Sequence, residues 1–180
     1  AGHLIMAEGL LKSWQAPAVV STVELDAASR STLRTENTAI SGLEFGKNIS
    51  WTETDRALPM PIDMDDPLMG LAVRSSDFMD TMNREMLKVA GLEPGKYTLR
   101  IDGEEVATFT ADQLGTGVNL AGLKTPMYAQ AARVHALTLK HAGIHNTRWR
   151  NVQVPMESEK PGTLQPALDA LDALDRELIQ

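Results

Sequence analysis

Three of the four histidines, His135, His141 and His145, fall in one stretch at spacings of six and four. Two imidazoles four apart on an unbroken helix share a face and can grip a zinc-type cation. Gly143 stands between the last two, however, and predicts a helix stop there. No carboxylate accompanies the three at a useful spacing, so they read as surface or capping histidines. Asp63, Asp65 and Asp66 suggest a calcium loop, which requires a Gly at its sixth position and a Glu at its twelfth. Counted from Asp63 the sixth residue is Leu68, so a solvated acidic loop is expected. No Gly-x-Ser-x-Gly elbow presents a serine nucleophile, and Ser75 and Ser76 read as helix caps. Gly115-Thr116-Gly117 lacks the strand-then-helix context of a phosphate cradle. Trp14, Trp51 and Trp149 are scattered and read as core anchors rather than a sugar platform. Residue types and spacing therefore nominate no catalytic, cofactor-binding or metal-ligating residue, and no cofactor is expected.

The chain that must position any site has 180 residues, a soft prior for one domain with a core of its own. Aromatics are few, so that core has to rest on aliphatic side chains and on nine adaptable Met. A net charge of -7 argues against a nucleic-acid partner, and the local Arg148-Trp149-Arg150 patch does not overturn that balance. The absence of Cys excludes disulfides, thiolate nucleophiles and zinc thiolates while leaving the compartment undecided. No run approaches the ~20 apolar residues of a transmembrane helix.

Periodicity sketches a mixed chain. Residues 3–14 form an amphipathic helix through Leu4, Ile5, Ala7, Leu11 and Trp14, ended by Ala16-Pro17. Val19–Asp26 alternates like a half-buried strand, and Thr32–Thr38 is a second or edge strand. Ile40–Phe45 and Ile49–Thr52 flank Gly46-Lys47-Asn48 as a hairpin. The two prolines of Ala57–Asp63 predict an extended segment, which Asp66-Pro67 continues as a loop. Phe78, Met82, Met86 and Val89 predict a helix started by Ser76-Asp77 and closed by Gly91. Asp102-Gly103 is a strong turn signal between Tyr97–Ile101 and Val106–Phe109. Ala111–Gly115 is a helical turn, and Gly117–Ala121 a loop or strand. Thr125-Pro126 opens another helix, running to Gly143. Arg148–Val154 has no clear period, and Lys160-Pro161-Gly162 makes a break. A last helix carries Leu168, Leu171, Leu174 and Leu178 beside Asp169, Asp172 and Asp175. The fold class expected is α+β, with small antiparallel sheets.

The opening Ala1-Gly2-His3-Leu4-Ile5-Met6-Ala7 resembles the tail of the last conserved block of GDSL-type (SGNH) esterases and acyl hydrolases. In that family the block reads Asp-x-x-His-Pro, a few residues, then Gly-His and an apolar helix closing a three-layer α/β/α domain. His3 matches the second, non-catalytic His. Downstream, Pro94–Gly103, Gly117-Val118-Asn119-Leu120-Ala121 and Thr125-Pro126-Met127 with Gln130-Ala131 resemble the extension that follows the catalytic domain in one bacterial branch. Ala57-Leu58-Pro59-Met60-Pro61 is similar to the same extension.

The resemblance implies that residues 1–16 are the terminal helix of an SGNH hydrolase domain and 17–180 its C-terminal α+β extension. The partner implied is the missing N-terminal hydrolase domain of the same polypeptide, and the substrate an ester of the full protein. The Ser nucleophile, its oxyanion donors and the Asp/His pair would all precede Ala1. Asn119 does not match the family's oxyanion Asn, because it lies in the wrong order along the chain. The expectation is a C-terminal fragment with a structural or cleft-shaping role, inactive alone. The alternatives are a stand-alone binding or interaction module and a small metal enzyme built on His135, His141 or His145.

Overall fold

The computed structural model describes residues 2–158 and 161–179, apart from the side chains of Pro161 and Ile179. Ala1 and Lys160, which the sequence reading used as a chain start and part of a break, lie outside the described residues. The architecture is α+β: helices with one mixed and two antiparallel sheets. Backbone contacts group the chain into two units, Ala1–Ala131 and Ala132–Gln180.

In the first unit, α1 (Gly2–Ser13) precedes β1 (Val19–Asp26), β2 (Ser31–Glu36), β3 (Thr38–Phe45) and β4 (Ile49–Asp55). Next come α2 (Pro67–Arg74), α3 (Phe78–Met82), β5 (Arg84–Ala90), β6 (Lys96–Ile101), β7 (Glu104–Thr110), α4 (Ala111–Thr116) and β8 (Val118–Asn119). The main sheet has the order β2-β1-β5-β8, with β1 and β5 parallel and both outer pairings antiparallel. The β3–β4 and β6–β7 hairpins are separate ladders. The second hairpin turns on Asp102 and Gly103, both at positive φ, as its Asp-Gly signal requires.

Two apolar clusters organise this unit. Val23, Leu25, Leu87 and Val89 project from one face of the main sheet onto Leu114 and Leu120, with Trp51, Leu43 and Phe109 packed around them. Ile62, Val73, Phe78 and Met82 form the second, against which Leu4 and Leu11 of α1 rest. The helix is further tied by Lys12, which pairs with the buried Glu8 at 2.7 Å and with Asp77. Its far side is bare: Met6 and Leu10 are exposed, as is Trp14 immediately after its last residue.

The helix expected to run from Ser76 to Gly91 is not formed as such. Only Phe78–Met82 is helical; Arg84–Ala90 is the β5 strand, paired on both sides. Phe78, Met82, Met86 and Val89 fit a helical period, but Glu85, Leu87 and Val89 fit a period of two equally well. Pairing with β1 and β8 decides between them. Gly91, at φ +69°, is a strand-end turn residue rather than a helix cap. The Asp66-Pro67 loop is also corrected. Asp66 caps α2, accepting from the Leu68 and Met69 N–H groups, with Pro67 at the first helical position. Of the three tryptophans only Trp51 packs against the core; Trp14 and Trp149 are exposed.

The second unit is helical. Helix α5 (Pro126–Asn146), whose start is capped by Thr125, continues into a π-helical stretch at Thr147–Gln153 and a short α6 (Val154–Met156). It does not stop at Gly143. A helical Gly costs ~1 kcal/mol relative to Ala, which neighbouring turns can absorb. The last helix, α7 (Pro161–Ile179), carries Leu168 buried and Leu174 exposed.

Candidate functional site

Continuity through Gly143 changes what α5 can do. His141 and His145 sit one turn apart on the same helical face, and their rings meet edge-on with centroids 4.5 Å apart. From α7, Asp175 reaches both: Oδ1 lies 2.5 Å from His141 Nδ1, and Oδ2 lies 3.3 Å from His145 Nε2. Asp175 is 9% exposed, whereas the two imidazoles are partly open to solvent. One donor atom from each residue lies within 4.8 Å of the others, a geometry that can hold a metal ion. His135 and His3 do not join this group.

The same two segments hold a second contact. Arg148, in the π-helical stretch, forks onto Asp172 with Nε–Oδ1 at 2.6 Å and Nη2–Oδ2 at 3.1 Å. Its Nη1 donates to Gln153 at 3.1 Å. Asp172 thus accepts from a guanidinium and Asp175 faces two imidazoles, the two carboxylates lying three residues apart along one face of α7. The Arg148-Trp149-Arg150 patch is therefore partly neutralised, and the Arg150 guanidinium lies 5.9 Å from the Trp149 ring centroid. The missed residue is Asp175. Sequence spacing placed it beside a leucine stripe, and nothing local indicated that α7 would bring it to the histidines.

In the first unit, the notable polar group is Glu85. It is 2% exposed and neither carboxylate oxygen has a hydrogen-bond partner. Burial, and then the negative charges of Asp55 and Glu53, push its carboxyl up to about 7. Asp55 Oδ1 is likewise buried and unpaired. On the opposite face of the main sheet, Glu24, Arg34, Glu36, Arg84 and Lys88 line a shallow depression of about 250 Å³. Its charges are mixed, and Arg34 already pairs with Glu36 and Glu24.

The other sequence candidates have local duties. Asp63 accepts from the Asp65 N–H at 3.0 Å, Asp65 pairs with Lys124, and Asp66 caps α2. Ser76 Oγ accepts from the Phe78 N–H. Asn119 uses its whole amide on main-chain groups, accepting from Glu85 and Ala121 and donating to Met79 and Asn83. Among the described residues, no helix is long and apolar enough to cross a membrane.

No protein-family model matches the chain, and no curated protein matches its sequence. A solved structure described as a gut microbial diltiazem-metabolizing enzyme is similar, with a TM-score of 0.76 and 26% sequence identity. The similarity covers 98% of this chain and 50% of that enzyme, so the chain spans half of its length.

Proposed function

We propose that this chain is the C-terminal portion of an SGNH-type serine ester hydrolase, with a structural or cleft-shaping role and no ester hydrolysis of its own. The fold similarity, over nearly the whole chain, to half of a structure described as a diltiazem-metabolizing enzyme supports the reading that this chain is part of a longer enzyme. The residue-level resemblance of Gly2-His3 with its apolar helix, and of the Pro94–Gly103 hairpin, supports it independently.

The chemistry of the chain is in keeping with that role. Acyl transfer needs a serine hydroxyl within hydrogen-bond reach of an imidazole. Among the described residues, His141 and His145 pair with Asp175, and no serine hydroxyl pairs with either ring. The exposed Met6 and Leu10 of α1, with Trp14 just after it, make an apolar surface of the kind that covers a neighbouring domain.

The test compares the purified chain with a protein extended through the upstream coding sequence. On p-nitrophenyl acetate the chain should be inactive and the extended protein active, with activity abolished by a serine-directed phosphonate. An upstream frame containing Gly-Asp-Ser and Asp-x-x-His-Pro is the expected parent. Phosphonate-sensitive turnover by the bare chain, or an extended protein without those motifs, would overturn the reading.

A further inference from the structure

We propose that His141, His145 and Asp175 form a binding site for a divalent transition-metal cation of the zinc type, which cross-links α5 to α7.

The donor set is the first ground. Two imidazole nitrogens and one carboxylate oxygen suit zinc and its neighbours, and are poor ligands for calcium or magnesium, which prefer all-oxygen shells. The histidines come from successive turns of one helix and the carboxylate from another, so the three converge from two elements rather than lying along one loop. Bond lengths of about 2.0–2.2 Å in a tetrahedral site place neighbouring donors roughly 3.3 Å apart. His145 Nε2 stands 3.3 Å from Asp175 Oδ2 and His141 Nδ1 2.5 Å from the other oxygen, Oδ1, and one donor atom from each residue lies within 4.8 Å of the others. Setting one Asp175 oxygen at that spacing from both ring nitrogens requires a side-chain adjustment, from a donor set that already lies within 4.8 Å. Both imidazoles are partly exposed and so have room for that adjustment. Three protein donors leave the fourth tetrahedral position for a water.

The second ground is what this unit lacks. Among the described residues of Ala132–Gln180, Leu168 is the one hydrophobic side chain that is buried. Val134, Leu137, Leu139, Val154 and Leu174 are all exposed. Small units without a sufficient apolar core are commonly held by a metal or a disulfide, and this chain has no Cys. A buried carboxylate facing two imidazoles at the seam of two such helices is where a metal staple adds most, because binding free energy becomes folding free energy. The role inferred is therefore structural, and it does not depend on the ester-hydrolase reading.

The experiment titrates the chelator-treated chain with ZnCl2 by calorimetry and with CoCl2 by visible absorption, alongside thermal melts followed at 222 nm. One zinc per chain is expected, with a tetrahedral cobalt spectrum and a melting temperature that rises with zinc concentration. H145A and D175N should each weaken zinc binding by about 100-fold, whereas H135A and H3A should leave it unchanged. H145A removes an exposed side chain, so it reports on the site even if D175N unfolds; far-ultraviolet dichroism identifies that case. Unsaturable zinc binding, equal binding by H145A and the unmodified chain, or weakening by H135A or H3A would overturn the proposal.

Discussion

The backbone N–H of Glu85 donates to the side-chain oxygen of Asn119 at 3.0 Å, joining the start of the central β5 strand to the loop that carries β8. The same Asn119 amide also binds Ala121 N–H, Met79 C=O and Asn83 C=O. Asn83, fully buried, in turn pairs its side chain with both polar backbone groups of Met60. Two amide side chains thus satisfy the buried backbone where three irregular segments meet, leaving the Glu85 carboxyl as the unpaired group among them.

Asn119→Ala should destabilise the chain by about 2–4 kcal/mol, because it strands two donors and two acceptors in part-buried surroundings. Urea unfolding with an unchanged slope would register the loss. A change under about 0.5 kcal/mol would mean that the loop re-forms its bonds elsewhere.

Glu85 makes stability depend on pH. Burial pushes its folded carboxyl up to about 7 from the ordinary 4.5, so the folded state holds the proton more tightly. Stability is then greatest at or below the lower value, declines as pH rises, and reaches its floor above about 7. The change is on the order of 3 kcal/mol across that window. Glu85→Gln should flatten this part of the pH profile and leave the variant more stable than the parent at pH 8. Parallel profiles for the two proteins between pH 5 and 8 would contradict the assignment.

Gly91→Ala should be the costliest of the glycine substitutions in the turns. At φ +69° an added Cβ would meet Asp26 Oδ1 at 2.7 Å and the Ala28 backbone nitrogen at 2.8 Å. Strain and collision together should cost about 3 kcal/mol or more. Gly103→Ala, at φ +83° with nothing within 4 Å, should cost only about 1–2 kcal/mol. Chemical denaturation of the two variants side by side tests the ranking.

Arg148→Lys should weaken the second unit, because an ammonium cannot reproduce the fork onto Asp172 together with the bond to Gln153. Both partners are partly exposed, so the effect should be modest, about 1 kcal/mol. Hydrogen exchange at amides of α7 is the measurement, and Asp172→Asn should produce a change of similar size.

The bare stripe of Met6, Leu10 and Trp14 should make the isolated chain self-associate. Small-angle scattering should show an apparent mass that grows with concentration, and the L10S/W14S double variant should suppress that growth. A parent chain monodisperse at all concentrations would count against it.

Much of the fold was legible where local chemistry dominates. The Asp102-Gly103 hairpin, the Gly46-Lys47-Asn48 turn, the absence of a helix or strand over residues 57–63 and the Thr125-Pro126 helix start depend on dihedrals and caps that a few residues dictate. Asp66 was legible too, since Asp-Pro before an apolar run is a helix opening, but the neighbouring acids drew the reading toward a loop. Arg84–Ala90 was not, because seven residues can match both periods and only pairing partners distinguish them.

The sequence by itself determined the α+β mixture, the turn positions, the acidic balance and the set of histidines and carboxylates available for chemistry. Tertiary structure alone decided that the segment after Met82 is a central strand, that Glu85 is buried without a partner, and that Asp175 meets His141 and His145. The physical reason is range. Turns and caps are set within about four residues, whereas strand pairing, desolvation and the convergence of ligands depend on segments far apart in the chain.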